Sequence, residues 1–449
     1  MAQIVTIETP SLGDRSYLAH DGEVAVVVDP QRDIDRFLAA ARSEAVRISH
    51  VLETHVHNDY VSGGLALAEA TGATYVVPGG DEVAFERTPA VEGASFSVGR
   101  LSVVAMATPG HTPHHMAYAL SEGAAPPVAV FTGGSMLFGA VGRTDLVGPE
   151  RTEPLTRSQY RSVRRLAQEL PGGAAVLPTH GFGSFCSATP TSGEASTVAE
   201  QTSANIALTT EDEATFVKVL LAGLGAYPSY YAHMAPANRA GAPPAPLGPP
   251  RALSPTELRM AIESNEWVVD LRQRRAFARH HVAGTISVEL GDAFATFLGW
   301  TKPWEVALTL VGESADQVAQ AQRELVRIGI EGLACAVGTT DQLAQGATGS
   351  YGVAGFADLA GVVGDGDIVV LDVRRPDEWE AGHLERAVHV PFWELEKRVA
   401  EVPAGEVWVH CATGLRASIS ASVLDRAGRR TVLVDDNWDR ARELCLPMA

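Results

Sequence analysis

The sequence predicts a multidomain α/β protein, and three observations carry that expectation. At 449 residues the chain exceeds what one hydrophobic core organises. Short β-branched runs alternate with helical stretches along its length. A break around residue 245 is almost pure Pro, Ala and Gly, and the pattern beyond it repeats. With 46% apolar and 20% charged residues, the composition is that of a globular protein.

From residue 1 to about 185, Ala25-Val-Val-Val, Ile48-Ser-His-Val-Leu, Thr74-Tyr-Val-Val, Leu101-Ser-Val-Val-Ala and Val128-Ala-Val-Phe read as strands. The N-terminal run Met1-Ala-Gln-Ile-Val-Thr-Ile-Glu-Thr alternates like one. Leu65-Ala-Leu-Ala-Glu-Ala and Ser158-Gln-Tyr-Arg-Ser-Val-Arg-Arg-Leu-Ala read as helices, and 196–240 as mainly helical. Ala240-Gly-Ala-Pro-Pro-Ala-Pro-Leu-Gly-Pro-Pro250 packs as neither and reads as a semi-rigid linker. Beyond it, Val268-Val-Asp-Leu-Arg272 is matched by Leu371-Asp-Val-Arg374, and Ala307-Leu-Thr-Leu-Val-Gly312 by Val407-Trp-Val-His-Cys411. The offset of about 100 residues suits one small α/β domain per copy. The expected division is 1–240, a linker at 241–252, and copies at 253–347 and 348–449.

A net charge of −19 argues against nucleic-acid binding. No basic-then-apolar leader and no bilayer-length apolar run is visible, so neither a signal peptide nor a membrane association is expected. Cys186, Cys335, Cys411 and Cys445 are widely spaced, without a CxxC pair, which suits a reducing cytoplasm. The last three positions aside from Cys411 read as structural or incidental, as does Cys186 in its Gly/Ser-rich loop.

The strongest local signal is Thr54-His55-Val56-His57-Asn58-Asp59-Tyr60 after an apolar strand. In extended chain, residues i and i+2 point the same way, so His55 and His57 can converge on one ion. His111, in Thr108-Pro-Gly-His111, and His180, in Leu177-Pro-Thr-His180-Gly, each follow another strand. Histidines at successive strand ends make an open metal site at a sheet edge.

These motifs resemble the metallo-β-lactamase superfamily over roughly residues 1–240. The stretch Ser135 to Asp145, with Gly142-Arg143-Thr144-Asp145, and the stretch Tyr230-Tyr231-Ala-His-Met234 through Asn238 look most like persulfide dioxygenase–rhodanese fusions. The resemblance implies an αββα sandwich, a mononuclear Fe(II), and O₂-dependent oxidation of a low-molecular-weight thiol persulfide to sulfite. His55, His57 and His111 match one metal position; Asp59 and His180 belong to a second, depleted by Tyr60 and Gly134. Gly134 stands where the family has a metal-binding carboxylate, so an aspartate there is expected to reach the ion. With that carboxylate missing, all three histidines or Asp59 would complete the site, which suits Fe(II) or zinc. Arg143 would bind an anionic part of the substrate or pair with Asp145, and Tyr231 is assigned to the substrate site.

Val409-His410-Cys411-Ala-Thr-Gly414-Leu-Arg416 sets a cysteine between a buried strand and a helix. Loop N–H groups at a helix N-terminus, with Arg416 nearby, favour a thiolate, a persulfide or a bound oxyanion. This loop, with Asp372-x-Arg374, Glu378, Gly382-His383-Leu384 and Val390-Pro391, resembles a rhodanese domain, which implies that Cys411 carries sulfane sulfur. The preceding copy keeps Asp270, Arg272 and His281-Val-Ala-Gly284 but has Val311-Gly312-Glu313-Ser314 in place of the loop, so it should be catalytically dead. The expected architecture is thus an αββα sandwich followed by two rhodanese-like α/β domains. The expected activity is persulfide oxidation coupled to sulfur transfer, with Cys411, Arg416 and Asp59 in catalytic roles. Its partners would be a thiol persulfide, thiosulfate or sulfite, and further copies of the chain in a homo-oligomer. A zinc thioester hydrolase of the glyoxalase II type and a non-oxidising sulfur carrier or sensor are the alternatives.

Overall fold

The computed structural model describes residues 2–189, 191 and 193–449; Met1, at the head of the first strand-like run, lies outside them. The chain divides into two compact units, one of residues 1–246 with 326–329 and one of 247–325 with 330–449.

In the first unit, six strands form one sheet in chain order: β1 (Gln3–Thr9), β2 (Asp14–His20), β3 (Val24–Val28), β4 (Arg47–Leu52), β5 (Thr74–Pro78) and β6 (Thr88–Ala90). A second sheet runs β11 (Ala175–Pro178), β10 (Ala129–Gly133), β9 (Met116–Glu122), β8 (Leu101–Ala107), β7 (Ser95–Val98). The period-two alternation of β3 builds both faces of its sheet: Val26 and Val28 enter the core between the sheets, while Ala25 and Val27 pack outward. The inner core also holds Tyr17, Leu52, Val76, Val103, Tyr118 and Phe131. Helices Asp35–Ser43 and Gly64–Thr71 cover the first sheet through Phe37 and Leu67. Helix Pro149–Glu169 covers the second through Tyr160, Val163 and Leu166, joined by Phe216 and Leu220 of helix Glu213–Gly223. The result is a four-layer αββα sandwich.

The second unit contains the repeat. One sheet runs Arg251–Ala252, Ala334–Val337, Leu308–Gly312, Trp267–Asp270, Ile286–Ser287; the other runs Gly352–Ala354, Thr431–Val434, Glu406–His410, Ile368–Asp372, Val388–His389. Both are parallel five-stranded sheets of the same strand order. Each carries the same clasp. Arg272 Nη2 donates to Asp270 Oδ2 at 2.6 Å, and Arg374 Nη2 to Asp372 Oδ2 at 2.6 Å. No element forms within residues 241–250. Among the described residues, no helix is long and apolar enough to cross a membrane.

Candidate metal centre and sulfur-transfer loop

The metal-type residues sit on loops at one end of the two sheets. Glu53 through Tyr60 follow β4, Thr108 through His115 follow β8, and Thr179 and His180 follow β11. Asp29, just past β3, takes a left-handed backbone with φ of 52°, uncommon for a non-glycine residue. Its carboxylate accepts from Thr54 N and Thr54 Oγ1, each at 2.7 Å, and from the Thr179 hydroxyl. One side chain thereby ties two of the three loops together. Asn238, on helix Tyr231–Ala240, secures the first loop by donating to the carbonyls of His57 (2.9 Å) and Tyr60 (2.8 Å).

His55, His57 and His180 each offer a nitrogen within 4.8 Å of the others, and all are buried. His111 converges with His180 and Cys186, and Asp59 with Asp14 and His180. His180, assigned by family resemblance to a second ion, therefore faces the His55–His57 pair. Partners on the far side of each ring set its free nitrogen. His111 Nδ1 donates to the Arg143 carbonyl at 2.7 Å, leaving Nε2 without a partner. His57 Nε2 lies 3.2 Å from Glu53 and 3.3 Å from Asp29, leaving Nδ1 without one. His55 Nδ1 meets Thr54 Oγ1 at 2.9 Å, and His180 Nδ1 meets Asp14 at 2.9 Å; their Nε2 atoms then face each other at 3.3 Å. With a proton on one ring the two nitrogens can share a hydrogen bond, and with neither protonated both lone pairs are free for one ion.

The electrostatics agree. Burial acts to lower His180, but the Asp59 and Asp14 carboxylates outweigh it and hold the ring well above its ordinary value. Burial likewise opposes His57, yet Asp29 and Glu53 raise it to about 9. Burial depresses His111 to about 3, with His180 adding to the effect, and drives His55 well down. Burial, reinforced by Asp59, raises Asp14 to about 7. The cluster draws in positive charge, and orphaned buried nitrogens on several loops fit a metal ion. Tyr60 is buried, stacked on His57 with centroids 4.3 Å apart, its hydroxyl donating to the Asp29 carbonyl at 3.2 Å.

Two expectations change and one of two alternatives is realised. Gly134 is no simple missing ligand, because a Cβ there would lie 2.3 Å from His111 Cδ2. Its bareness makes room for the His111 ring, as does that of Gly142, whose Cβ would come within 2.7 Å of His111 Nδ1. Arg143 takes the second of its two expected roles: it is buried, donates to Asp145 at 2.7 and 2.8 Å and to the Phe185 and Gly225 carbonyls, and lies over Tyr227. Cys186 is not an incidental loop thiol, since its sulfur joins His111 and His180 and lies 3.8 Å from the Tyr231 hydroxyl. His115 carries no sequence signal of its own beyond adjacency to His114. It stacks on His55 at 4.9 Å and accepts from Gly134 N at 3.0 Å, which occupies the nitrogen it would need for an ion. Beside the cluster lies a cavity of about 240 Å³ lined by Asn58, Asp81, Thr112, Tyr231 and Arg239.

In the second unit, Cys411 follows strand Glu406–His410 and precedes helix Leu415–Arg426. Gly414 N donates to Cys411 Sγ at 3.2 Å, and Gly414 has φ of 89°, a conformation open to glycine. Arg416 is paired with both oxygens of Glu378, one at 2.8 Å, so its charge reaches the loop already partnered. Cys335 lies in strand Ala334–Val337, and Cys445 is exposed near the end of the chain.

The metallo-β-lactamase superfamily model matches residues 15–180, and the rhodanese-like domain model matches 356–440. Hydroxyacylglutathione hydrolase of Methylococcus capsulatus is 31% identical over 184 residues, 39% of this chain and 66% of that protein. The same enzyme of Cereibacter sphaeroides is 30% identical, over 40% of this chain and 67% of that one. The human mitochondrial persulfide dioxygenase is 27% identical over 216 residues, 46% and 74% of the two chains. These relatives are enzymes, and the match spans about two thirds to three quarters of their length. A metallo-β-lactamase crystal structure from Staphylococcus aureus superposes with a TM-score of 0.67 at 26% identity, covering 75% of this chain and 98% of that one. With its αββα sandwich, its histidine cluster and the matched second domain, the chain belongs to the metallo-β-lactamase superfamily and ends in a rhodanese-like domain.

Proposed function

We propose that this protein oxidises a low-molecular-weight thiol persulfide at one metal ion and passes sulfane sulfur through Cys411. The reading rests on a single juxtaposition. A buried histidine cluster able to hold a cation is fused to a rhodanese-like domain whose Cys411 sulfur accepts from a loop N–H. His55, His57 and His180 would hold the ion, with His111 and Asp59 flanking it. When bound, Fe(II) supplies a Lewis acid and a redox partner for O₂.

The chain's own residues do the rest. Asp29 and Glu53 fix His57 from behind, Asp14 fixes His180, and Asn238 keeps the first loop in place. The cavity bounded by Asn58, Thr112 and Tyr231 would admit the persulfide. Overall, R–S–SH, O₂ and H₂O give R–SH, hydrogen sulfite and a proton. The Cys411 thiolate would take the outer sulfur of a second R–S–SH, releasing R–SH, and the resulting Cys411 persulfide would hand that sulfur to sulfite, releasing thiosulfate and the Cys411 thiolate. Fusion raises the effective concentration of one product at the other site.

The test is metal content together with oxygen uptake by anaerobically iron-loaded protein given glutathione persulfide. One iron per chain and O₂-dependent sulfite are expected, and Cys411→Ser should abolish thiosulfate while sparing sulfite and metal. The identity of about 30% to hydroxyacylglutathione hydrolases favours a second reading, a zinc thioester hydrolase. Two metals per chain and S-acylglutathione cleavage without O₂ uptake would establish it instead. Substoichiometric metal with intact sulfur transfer would mark a non-oxidising carrier.

A further inference from the structure

The module without a loop cysteine reaches the loop of the module that has one. Asp435 follows strand Thr431–Val434, with its side chain only 4% exposed, and it packs on the Cys411 loop. A Cβ at Gly414 would lie 2.2 Å from Asp435 Oδ1, and Gly414 N is the donor to Cys411 Sγ. A buried carboxylate thus stands against a loop whose substrates and persulfide intermediate are anions. Uncompensated, it would repel them.

Its compensation comes from the preceding copy. Arg274 Nε donates to Asp435 Oδ1 at 2.7 Å, and Arg275 Nε donates to Asp435 Oδ2. Arg275 Nη2 also reaches the Asp435 carbonyl at 3.3 Å, and Arg274 Nη2 lies 3.5 Å from the Thr413 carbonyl, inside the loop itself. Arg274 is steadied by Glu289 Oε1 at 2.5 Å. The loop's other arginine, Arg416, is committed to Glu378. The pair is no relic of the shared scaffold. Asp270 and Arg272 correspond to Asp372 and Arg374, and both following helices, Arg274–Arg279 and Pro376–Glu380, start in step. At that spacing the second copy has Pro376 and Asp377 where the first has Arg274 and Arg275.

We infer that Arg274 and Arg275 are positioning residues for sulfur transfer: they neutralise Asp435 and make the Cys411 loop a site for anions such as thiosulfate and sulfite. The module without a loop cysteine therefore completes the site of its neighbour. The inference rests on Cys411 being the sulfur carrier, and its test separates the two.

Alkylation of Cys411 by anionic iodoacetate and by neutral iodoacetamide, quantified on the Cys411 peptide of the full chain, reads local charge without requiring any turnover. In Arg274→Gln/Arg275→Gln the iodoacetate-to-iodoacetamide rate ratio should fall roughly tenfold, and KM for thiosulfate should rise by a similar factor with kcat within about twofold. Adding Asp435→Asn should restore both, because the charge needing neutralisation is gone, and Arg274→Lys/Arg275→Lys should retain them. A merely structural pair would not be rescued by Asp435→Asn. An unchanged ratio in the arginine-free variant, or a fall that Asp435→Asn leaves in place, overturns the inference. If the wild type transfers no sulfur while the alkylation ratio behaves as described, the carrier reading fails and the charge-neutralising role stands.

Discussion

Gly134 and Gly142 face the His111 imidazole from two directions, and a Cβ on either would come within 2.7 Å of a ring atom. Gly134→Asp should therefore displace His111 and strain its bond to the Arg143 carbonyl, not supply a ligand. Metal affinity, measured by competition titration, should drop by about one to two orders of magnitude, the scale of losing a ligand's support. Gly134→Ala should share most of that loss. If the aspartate raises affinity while the alanine lowers it, the carboxylate reaches the ion and the steric account fails. The four histidines of the cluster were legible because their residue type and their places after strands carry the chemistry. Asp14, Glu53, His115 and Cys186 were not, because what recruits them is burial beside other loops, and each is an ordinary residue in its local stretch. Asp29 left a faint trace as the acid ending a valine run.

Elements with a one-dimensional signature were readable; those defined by their neighbours were not. β3 and β10 are buried on both faces and show as apolar runs. β9, Met-Ala-Tyr-Ala-Leu-Ser-Glu, has a helix-favouring composition and is a strand because β8 and β10 pair with it on either side. The repeat was visible through its Asp-x-Arg motifs, yet the difference between the two loops is finer than composition. Register pairs Asp270 with Val311 and Asp372 with His410, which aligns Gly312 with Cys411. Residues 412–414 separate the cysteine from its helix, whereas only 313 and 314 separate Gly312 from helix Ala315–Arg327. A loop one residue shorter lacks the glycine that donates to the sulfur. Gly312→Cys in a Cys411→Ser background should consequently leave thiosulfate:cyanide transfer at the level of Cys411→Ser alone. Recovered activity would show that the sulfur needs less of the loop than its geometry suggests.

Across the whole molecule, acid stability should track the Asp372–Arg374 clasp. Burial works to raise the Asp372 carboxyl, but His410 and Arg374 more than offset it and hold it below its ordinary value. A depressed carboxyl contributes stability that is present above the unfolded-state value and is lost as pH falls through the folded one. Asp372→Asn, which leaves Arg374 buried without its partner, should cost about 3–5 kcal/mol near neutral pH. Its deficit should narrow as pH drops through the carboxylate range. Hydrogen exchange in strand Ile368–Asp372 of the full chain would report this locally, and a deficit constant with pH would refute it. The second clasp gives the measurement unusual leverage. Asp270 and Arg272 make the same bonds in a module that has no cysteine at the loop position, Arg272 Nη2 also reaching the His280 carbonyl just as Arg374 Nη2 reaches that of Gly382. The protein thus carries its own experimental control: Asp270→Asn reports what the ion pair does for a fold, and whatever Asp372→Asn does beyond that belongs to what the second module alone holds, His410 beside the carboxylate and the Cys411 loop.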